Sequence, residues 1–193
     1  MRNVVSYTNQ ATDYVTIEEV KQHLKVLDAD EDVFIKGLIN AAFDVASEYV
    51  GFSIRKASVE YWFPDTCILI PSRVISVSSV QYVDENGDLQ SATYTSTGRA
   101  YGNYAYEIFI TEAPTSVVEN GDVYKVVVNE GFELDAASVN QGFKFPDAIR
   151  SAIFMICANL YENRQDDVIG TSAVALPMNS QFLLNPYRIM VFV

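Results

Sequence analysis

The sequence of 193 residues predicts an α+β fold, because apolar residues recur at helical spacing near both ends of the chain and alternate with polar ones between them. We expect a small helical bundle of two N-terminal helices plus a long C-terminal helix, with an inserted antiparallel β-rich region and an extended C-terminal tail. The length suits a single domain, residues 1–193. Its predicted parts are the N-terminal helices at 15–51, the β-rich insertion at 53–135, the central helix at 146–164 and the tail at 176–193.

The first N-terminal helix is introduced by a capping box. The Thr16 hydroxyl is placed to accept from the backbone N–H of Glu19, and the Glu19 carboxylate to accept from that of Thr16. Val15 and Val20 occupy the two positions of a hydrophobic staple around this cap. The pattern predicts a short helix at about 17–25.

An acidic turn leads into the second helix, predicted at about 30–50. Asp28 or Asp30 is expected to cap it, and Gly51 to end it. The turn lacks the glycine and distal glutamate of a calcium loop, so its acids are expected to favour the positive helix N-terminus instead. The stripe predicted to face inward is Phe34, Leu38, Ala41, Ala42, Val45 and Tyr49.

Between residues 53 and 135 the apolar spacing changes to 2, as in strands with one buried face. Val59, Tyr61 and Phe63 alternate with polar or amphipathic residues, and residues 84–88 supply the Asp, Asn and Gly of a hairpin turn. About six strands are predicted, near residues 59–63, 67–70, 74–83, 89–94, 104–111 and 123–129.

The central helix, 146–164, carries apolar residues around most of its circumference. Pro146 suits the first helical position, Asp147 the positive N-terminal pole and Arg164 the negative C-terminal pole. A helix that is apolar on several faces is covered on several sides. Part of this surface is therefore expected to meet another subunit.

The two ends of the chain are expected to lack regular structure in a free subunit. Residues 1–14 show no periodicity and are predicted to form a loose arm. The segment 182–193 is apolar and strand-prone, so it is predicted to be extended and to add to a sheet or groove of a partner.

Composition argues against tight nucleic-acid binding and membrane insertion. There are 13 Lys and Arg against 25 Asp and Glu, a net charge of −12, and no basic run. An acidic surface can face DNA without holding it. The sequence shows no signal peptide and no transmembrane segment, which predicts a protein made in the cytoplasm.

No residue set predicts catalysis, a metal or a cofactor. His23 is the only histidine and has no neighbouring ligands, and nucleophile-elbow, P-loop and dinucleotide motifs are absent. Cys67 and Cys157 are expected to be buried, reduced thiols. We therefore predict a protein that is not an enzyme and has no cofactor.

The strand region is rich in tyrosine, including Tyr94, Tyr101, Tyr104 and Tyr106. These rings could form cross-strand pairs in a half-buried sheet, or a surface on which a ligand stacks. The second reading gives the alternative function, a ligand- or carbohydrate-binding accessory module.

Three stretches together resemble the gp6-like head–tail connector (adaptor) proteins of tailed phages, in the longer variety with a β-rich insertion. The first is Val15 to Leu24 with the acidic turn after it, and the second is the Pro-x-x-Ile-Arg-x-Ala-Ile helix ending in Tyr161, Glu162, Asn163 and Arg164. The third is Leu176-Pro177 followed by Leu183-Leu184-Asn185-Pro186-Tyr187-Arg188. The extra strands, at about 58–130, depart from the simplest members of the family.

The resemblance implies a non-enzymatic protein of the virion, assembled in the host cytoplasm. It would dock on the portal protein as a ring, usually of twelve subunits, meet a tail-completion protein and continue the DNA channel without gripping DNA. The family's C-terminal segment tends to engage the portal. The residues expected at a subunit or partner interface are Tyr161, Glu162, Asn163, Arg164, Phe182, Leu183, Leu184, Pro186, Tyr187 and Arg188.

For the first four of these residues two readings stay open. They could close the C-terminus of their own helix with polar groups, or Arg164 could meet an acid of the neighbouring subunit.

Overall fold

A computed structural model describes residues 2–100, 105–112, 121–134, 144–163 and 178–189. The chain divides into two compact units. One, here called the sheet unit, contains residues 1–8, 56–132 and 191–193, and the other, the helical unit, contains residues 9–55 and 133–190. Helices and antiparallel sheets together make the fold α+β, as predicted.

The helical unit contains five α-helices in its described residues. They are α1 (Ala11–Tyr14), α2 (Ile17–Leu24), α3 (Asp32–Val50), α4 (Asp147–Glu162) and α5 (Met178–Leu184), followed by a 3₁₀ helix, Asn185–Tyr187. The predicted capping box opens α2, with Glu19 N–H donating to Thr16 Oγ1 at 3.2 Å and Thr16 N–H to Glu19 Oε2 at 2.8 Å. Both staple residues, Val15 and Val20, are fully buried.

Helix α3 ends at Gly51 as predicted, but it begins at Asp32, and its N-cap is Glu31, with no side-chain hydrogen bond to the cap. The prediction that Asp28 or Asp30 caps it was wrong, because Asp28 Oδ1 accepts from the Asp30 N–H at 3.3 Å instead. The helix also buries a different stripe. Its buried residues are Ile35, Ile39, Ala42, Phe43, Ala46 and Val50. Phe34 is 41% exposed and Val45 37%, so the predicted stripe was wrong by one position over most of its length. Two apolar stripes lie side by side on this helix, and packing of the Phe43 ring near Tyr14 and Phe145 selects the second one.

Helix α4 is the predicted central helix and buries Ile149, Ala152, Ile153, Ile156 and Cys157. It begins at Asp147, because Pro146 is extended with φ −79° and ψ 142°, so the placement of Pro146 inside the helix was wrong by one residue. Arg164 lies outside the described residues.

The sheet unit contains two antiparallel sheets in its described residues. Their strands are β1 (Arg2–Tyr7), β2 (Ala57–Phe63), β3 (Cys67–Ile70), β4 (Val74–Val83), β5 (Leu89–Ser91), β6 (Tyr94–Ala100), β7 (Ala105–Ile110) and β8 (Tyr124–Glu130). One sheet has the order β1-β2-β8-β4-β5 and the other β3-β7-β6. Both contribute to one core, in which Val59, Ile68, Ile108 and Val126 are fully buried.

Two predictions about the chain ends were wrong. Residues 2–7 are not a loose arm but strand β1, paired with β2 from Arg2↔Tyr61 to Tyr7↔Ala57. Residues 178–187 are not extended but helical, because Ser180 and Leu184, four positions apart, turn the same face of α5 inward and are both fully buried. A short apolar segment fits the pattern of either a strand or a helix, so its tertiary contacts decide which of the two forms.

The two cysteines are free, but only Cys157 is buried. Cys67 is exposed because Ile68 and Ile70 face the core, and alternate residues of a strand point to opposite faces. Among the described residues, none of the helices has the length and apolarity needed to cross a bilayer.

Candidate partner interfaces

The C-terminal segment, residues 178–189, lies against the C-terminal end of α3. The Tyr49 hydroxyl donates to Asn185 Oδ1 at 2.6 Å, and Ile189 N–H donates to the Val50 carbonyl at 2.9 Å. The Arg188 guanidinium carbon lies 5.3 Å from the centre of the Tyr49 ring, a cation–π distance. Helix α5 also packs on α4, so the segment is held by two helices of its own subunit.

The predicted interface residues of this segment divide by exposure. Leu184 is fully buried in the core, and Leu183 and Tyr187 are half-buried. Phe182 is 76% exposed, and Pro186 and Arg188 are exposed beside it in the chain. A partner can therefore reach the set Phe182, Pro186 and Arg188, here called the tail surface, while Leu184 stabilises the subunit itself.

The other predicted set lies at the C-terminus of α4. Tyr161 donates its hydroxyl proton to Glu31 Oε2 at 2.5 Å, and its ring lies 6.2 Å from that of Phe34. Asn163 Nδ2 donates to the Asn159 carbonyl at 3.0 Å and to Asn159 Oδ1 at 2.8 Å. These contacts close the helix within its own subunit, while Glu162 is exposed.

The two sets lie at opposite ends of α3. Tyr161 contacts the start of this helix at Phe34, and Asn185 contacts its end at Tyr49. At 1.5 Å per residue, the 15 residues between Phe34 and Tyr49 span about 22 Å. The helical unit thus offers two separate contact regions, one at each end of α3.

A third group of exposed residues was not predicted. Leu27, in the turn between α2 and α3, is 98% exposed, and Val33, in the first turn of α3 and adjacent to Phe34 in sequence, is 85% exposed. The segment 26–34 also contains Asp28, Asp30, Glu31 and Asp32 and no basic residue. We call this segment the acidic end; an apolar pair inside an acidic turn was the signal for it in the sequence.

Among the described residues, no group of three or more His, Cys, Asp and Glu could hold a metal ion. The His23 ring stacks on Phe154, with ring centres 5.4 Å apart. Burial raises the pKa of the Cys157 thiol to about 12, which leaves it protonated and unreactive at neutral pH.

A buried polar cluster joins four strands or turns of the sheet unit and was not predicted. The Glu130 side chain is fully buried and accepts from Arg2 Nη2 at 2.6 Å, from the Tyr61 hydroxyl at 2.7 Å and from Ser72 Oγ. Burial and the neighbouring carboxylate raise the pKa of Tyr61 well above its ordinary value, so the phenol stays a donor. Each of these side chains is hydrogen-bonded to another member of the cluster, which is typical of a buried network that stabilises the fold.

Two of the tyrosines considered for ligand stacking, Tyr94 and Tyr106, lie at different positions of the β6–β7 ladder. Tyr94 pairs with Ile110 at one end of β6–β7 and Tyr106 pairs with Arg99 further along. Four strand residues separate Tyr106 from Ile110, or about 13 Å. Tyr101 and Tyr104 lie outside the described residues.

Comparison with known proteins identifies the family. The family model described as phage gp6-like head-tail connector protein matches residues 14–111, which is just over half of the 193 residues. The chain belongs to this family, and it is a structural head–tail connector. The resemblance seen in the sequence is thereby confirmed. A comparison with curated proteins gave no match.

Solved structures with the same fold come from gene transfer agent (GTA) particles. A chain in the neck of an empty GTA particle, computed with C6 symmetry, superposes with a TM-score of 0.72 at 18% identity. A chain in the virion of a native particle gives 0.71 at 19% identity, and one in the native neck computed with C12 symmetry gives 0.69 at 18%. In each case 100% of this chain and 97% of the other are covered. At this level of identity the likeness extends to the fold.

Proposed function

We propose that this connector works as a ring of copies docked on the portal protein of a filled head, and that the ring continues the DNA channel towards a tail-completion protein. The observation that carries the proposal is the pair of contact regions at opposite ends of α3. A subunit that must join neighbours in a closed ring needs two different, complementary surfaces. Twelve copies are the expected number, and structural likeness to a neck chain solved with C12 symmetry supports it.

Charge supports passage of DNA without capture. The net charge of −12 leaves few cations to neutralise phosphates, and phosphate neutralisation supplies most of non-specific affinity for DNA. An acidic channel wall repels the duplex and lets it slide. The working location is then the virion, with assembly in the host cytoplasm.

The proposed role is non-enzymatic and needs no cofactor. The role depends on docking surfaces, and we infer that the polar clusters of the described residues stabilise the fold. Arg2, Tyr61 and Ser72 each donate a hydrogen bond to Glu130, for example, and Arg2 Nε also donates to the Tyr61 hydroxyl.

The test is native mass measurement of the full chain, alone and mixed with its portal protein, followed by electron microscopy of the mixture. We expect rings with one copy of the connector per portal subunit. A connector that binds the portal only as scattered single copies, or not at all, would contradict the proposal.

A further inference from the structure

The acidic end and the tail surface are complementary in chemistry. The acidic end presents Leu27, 98% exposed, and Val33, 85% exposed, together with Asp28 and Asp30, while Asp32 and Glu31 are bonded to Lys21 and Tyr161 of the same subunit. The tail surface contains Phe182, 76% exposed, and Arg188, the only charged residue between 178 and 189. Each surface therefore combines an apolar anchor with charge, and the charges have opposite sign.

Leu27, Val33 and Phe182 are the most exposed of the large apolar side chains in the described part of the helical unit. An exposed aromatic residue and an arginine on one surface are the residue types enriched in interface hot spots. When a partner covers exposed leucine and valine side chains such as these, burial of their apolar surface favours binding. The half-buried and buried neighbours of Phe182, among them Leu183 and Leu184, hold it in a fixed position on α5.

The position of the two surfaces excludes a contact between them within one subunit. The acidic end lies at the start of α3, and the tail surface lies near its end, where Asn185 meets Tyr49. Phe34 and Tyr49, the residues of α3 at these two ends, lie about 22 Å apart along the helix axis. The two oppositely charged surfaces lie at opposite ends of α3, so they can contact each other only when they belong to different copies.

We propose that the tail surface of one copy docks on the acidic end of the next, with Phe182 covering Leu27 and Val33 and Arg188 facing Asp28 or Asp30. The contact is heterologous, so it leaves one free surface of each kind at every step and propagates until the ring closes. This inference rests on the proposed ring and names the subunit contact within it.

Disulfide trapping tests the contact directly. In a Cys67→Ser background, Val33→Cys is combined with Phe182→Cys and the full chain is oxidised at increasing concentration. Cys157 is buried and stays unreactive. The two new thiols cannot join within a subunit, since a disulfide needs Cα atoms closer than about 7 Å. We expect a ladder of covalent dimers, trimers and higher species.

Matched controls decide whether the ladder reports this contact. Glu18→Cys with Phe182→Cys places a thiol at an exposed site on α2 away from the acidic end, and it should give no ladder. Each single cysteine variant should stop at a dimer at most. A ladder that forms equally with the Glu18 pair, or no ladder with the Val33 pair, overturns the proposal.

Charge reversal supplies the second measurement. Arg188→Glu should weaken trapping about tenfold, which corresponds to a loss of about 1.4 kcal/mol at the contact, because like charges then face each other. Adding Asp28→Lys and Asp30→Lys to the same chain should restore it, because the two charges are then exchanged. If Arg188→Glu leaves the ladder unchanged but abolishes binding to the portal, the tail surface is a portal contact and the proposal is wrong.

The results also separate this contact from the proposed function. Rings seen by native mass without any ladder would leave the ring intact and reject only the contact. If neither rings nor a ladder form in the presence of the portal protein, both the proposed ring and the proposed contact are wrong.

Discussion

Arg2 Nη2 lies 2.6 Å from Glu130 Oε1, although the two residues are 128 positions apart in the sequence. Arg2 begins edge strand β1 and Glu130 ends β8, and the two strands are separated by β2. The Glu130 side chain is fully buried while that of Arg2 is 37% exposed. The pair connects the first strand of the chain to the centre of the main sheet.

Removal of the cation should destabilise the sheet unit. Arg2→Ala leaves a buried carboxylate with two neutral donors, and we expect a loss of roughly 2–3 kcal/mol, below the range for fully buried pairs because Arg2 is partly exposed. Urea unfolding measures the loss. Val5→Ala on the same strand, where the side chain is 58% exposed, serves as the control and should change stability by less than about 0.5 kcal/mol. Equal effects of the two variants would show that the ion pair contributes nothing of its own.

The C-terminal segment should respond differently at two positions two residues apart. Leu184→Ala removes a fully buried side chain and is expected to cost about 2–4 kcal/mol. Phe182→Ala removes a side chain that is 76% exposed and should leave stability within about 0.5 kcal/mol. Thermal unfolding compares them; similar losses would mean that Phe182 is packed within the subunit.

The cap of α2 has a second function through Glu19. Besides closing the capping box, Glu19 accepts from Arg150 Nη1 of α4 at 2.8 Å. Thr16→Ala should cost about 1 kcal/mol as the loss of an N-cap, and Glu19→Ala should cost more because the ion pair is lost as well. Glu19→Gln keeps hydrogen-bonding capacity and should fall between the two. A Glu19→Ala variant no less stable than Thr16→Ala would show that the α2–α4 ion pair adds nothing.

The two thiols should differ in reactivity. Burial raises the pKa of Cys157 from 9.0 to about 12, so at pH 8 its reactive thiolate is far less populated than in an unfolded chain. Because the folded-state pKa is higher, raising the pH towards 12 favours the unfolded state, in which the thiolate forms more easily. A thiol reagent at pH 8 should label one cysteine per native chain, Cys67, and both in denaturant. Labelling of native Cys67→Ser would contradict this.

Local sequence chemistry predicted the elements whose information lies within a few residues. The Thr16–Glu19 box, the Gly51 end of α3 and the alternation of Val59 and Tyr61 are each complete in a short window, and each is present in the structure. The family resemblance likewise rested on short combined motifs, and the family match confirms it.

Long-range packing decided what the sequence left open. Residues 2–7 became a strand because β2 offered an edge, and residues 178–184 became a helix because α4 offered a surface for Leu184. The choice between two adjacent stripes on α3 depended on Tyr14 and Phe145, which are distant in the chain. Some apolar segments fit both the strand and the helix pattern, and some helices have two possible apolar faces. In these cases the conformation that forms is the one whose apolar side chains are buried by an element distant in the sequence. The sequence by itself determined the elements whose signals are local, together with the family, and the tertiary structure decided the form of the two chain ends and which side chains remain for a partner.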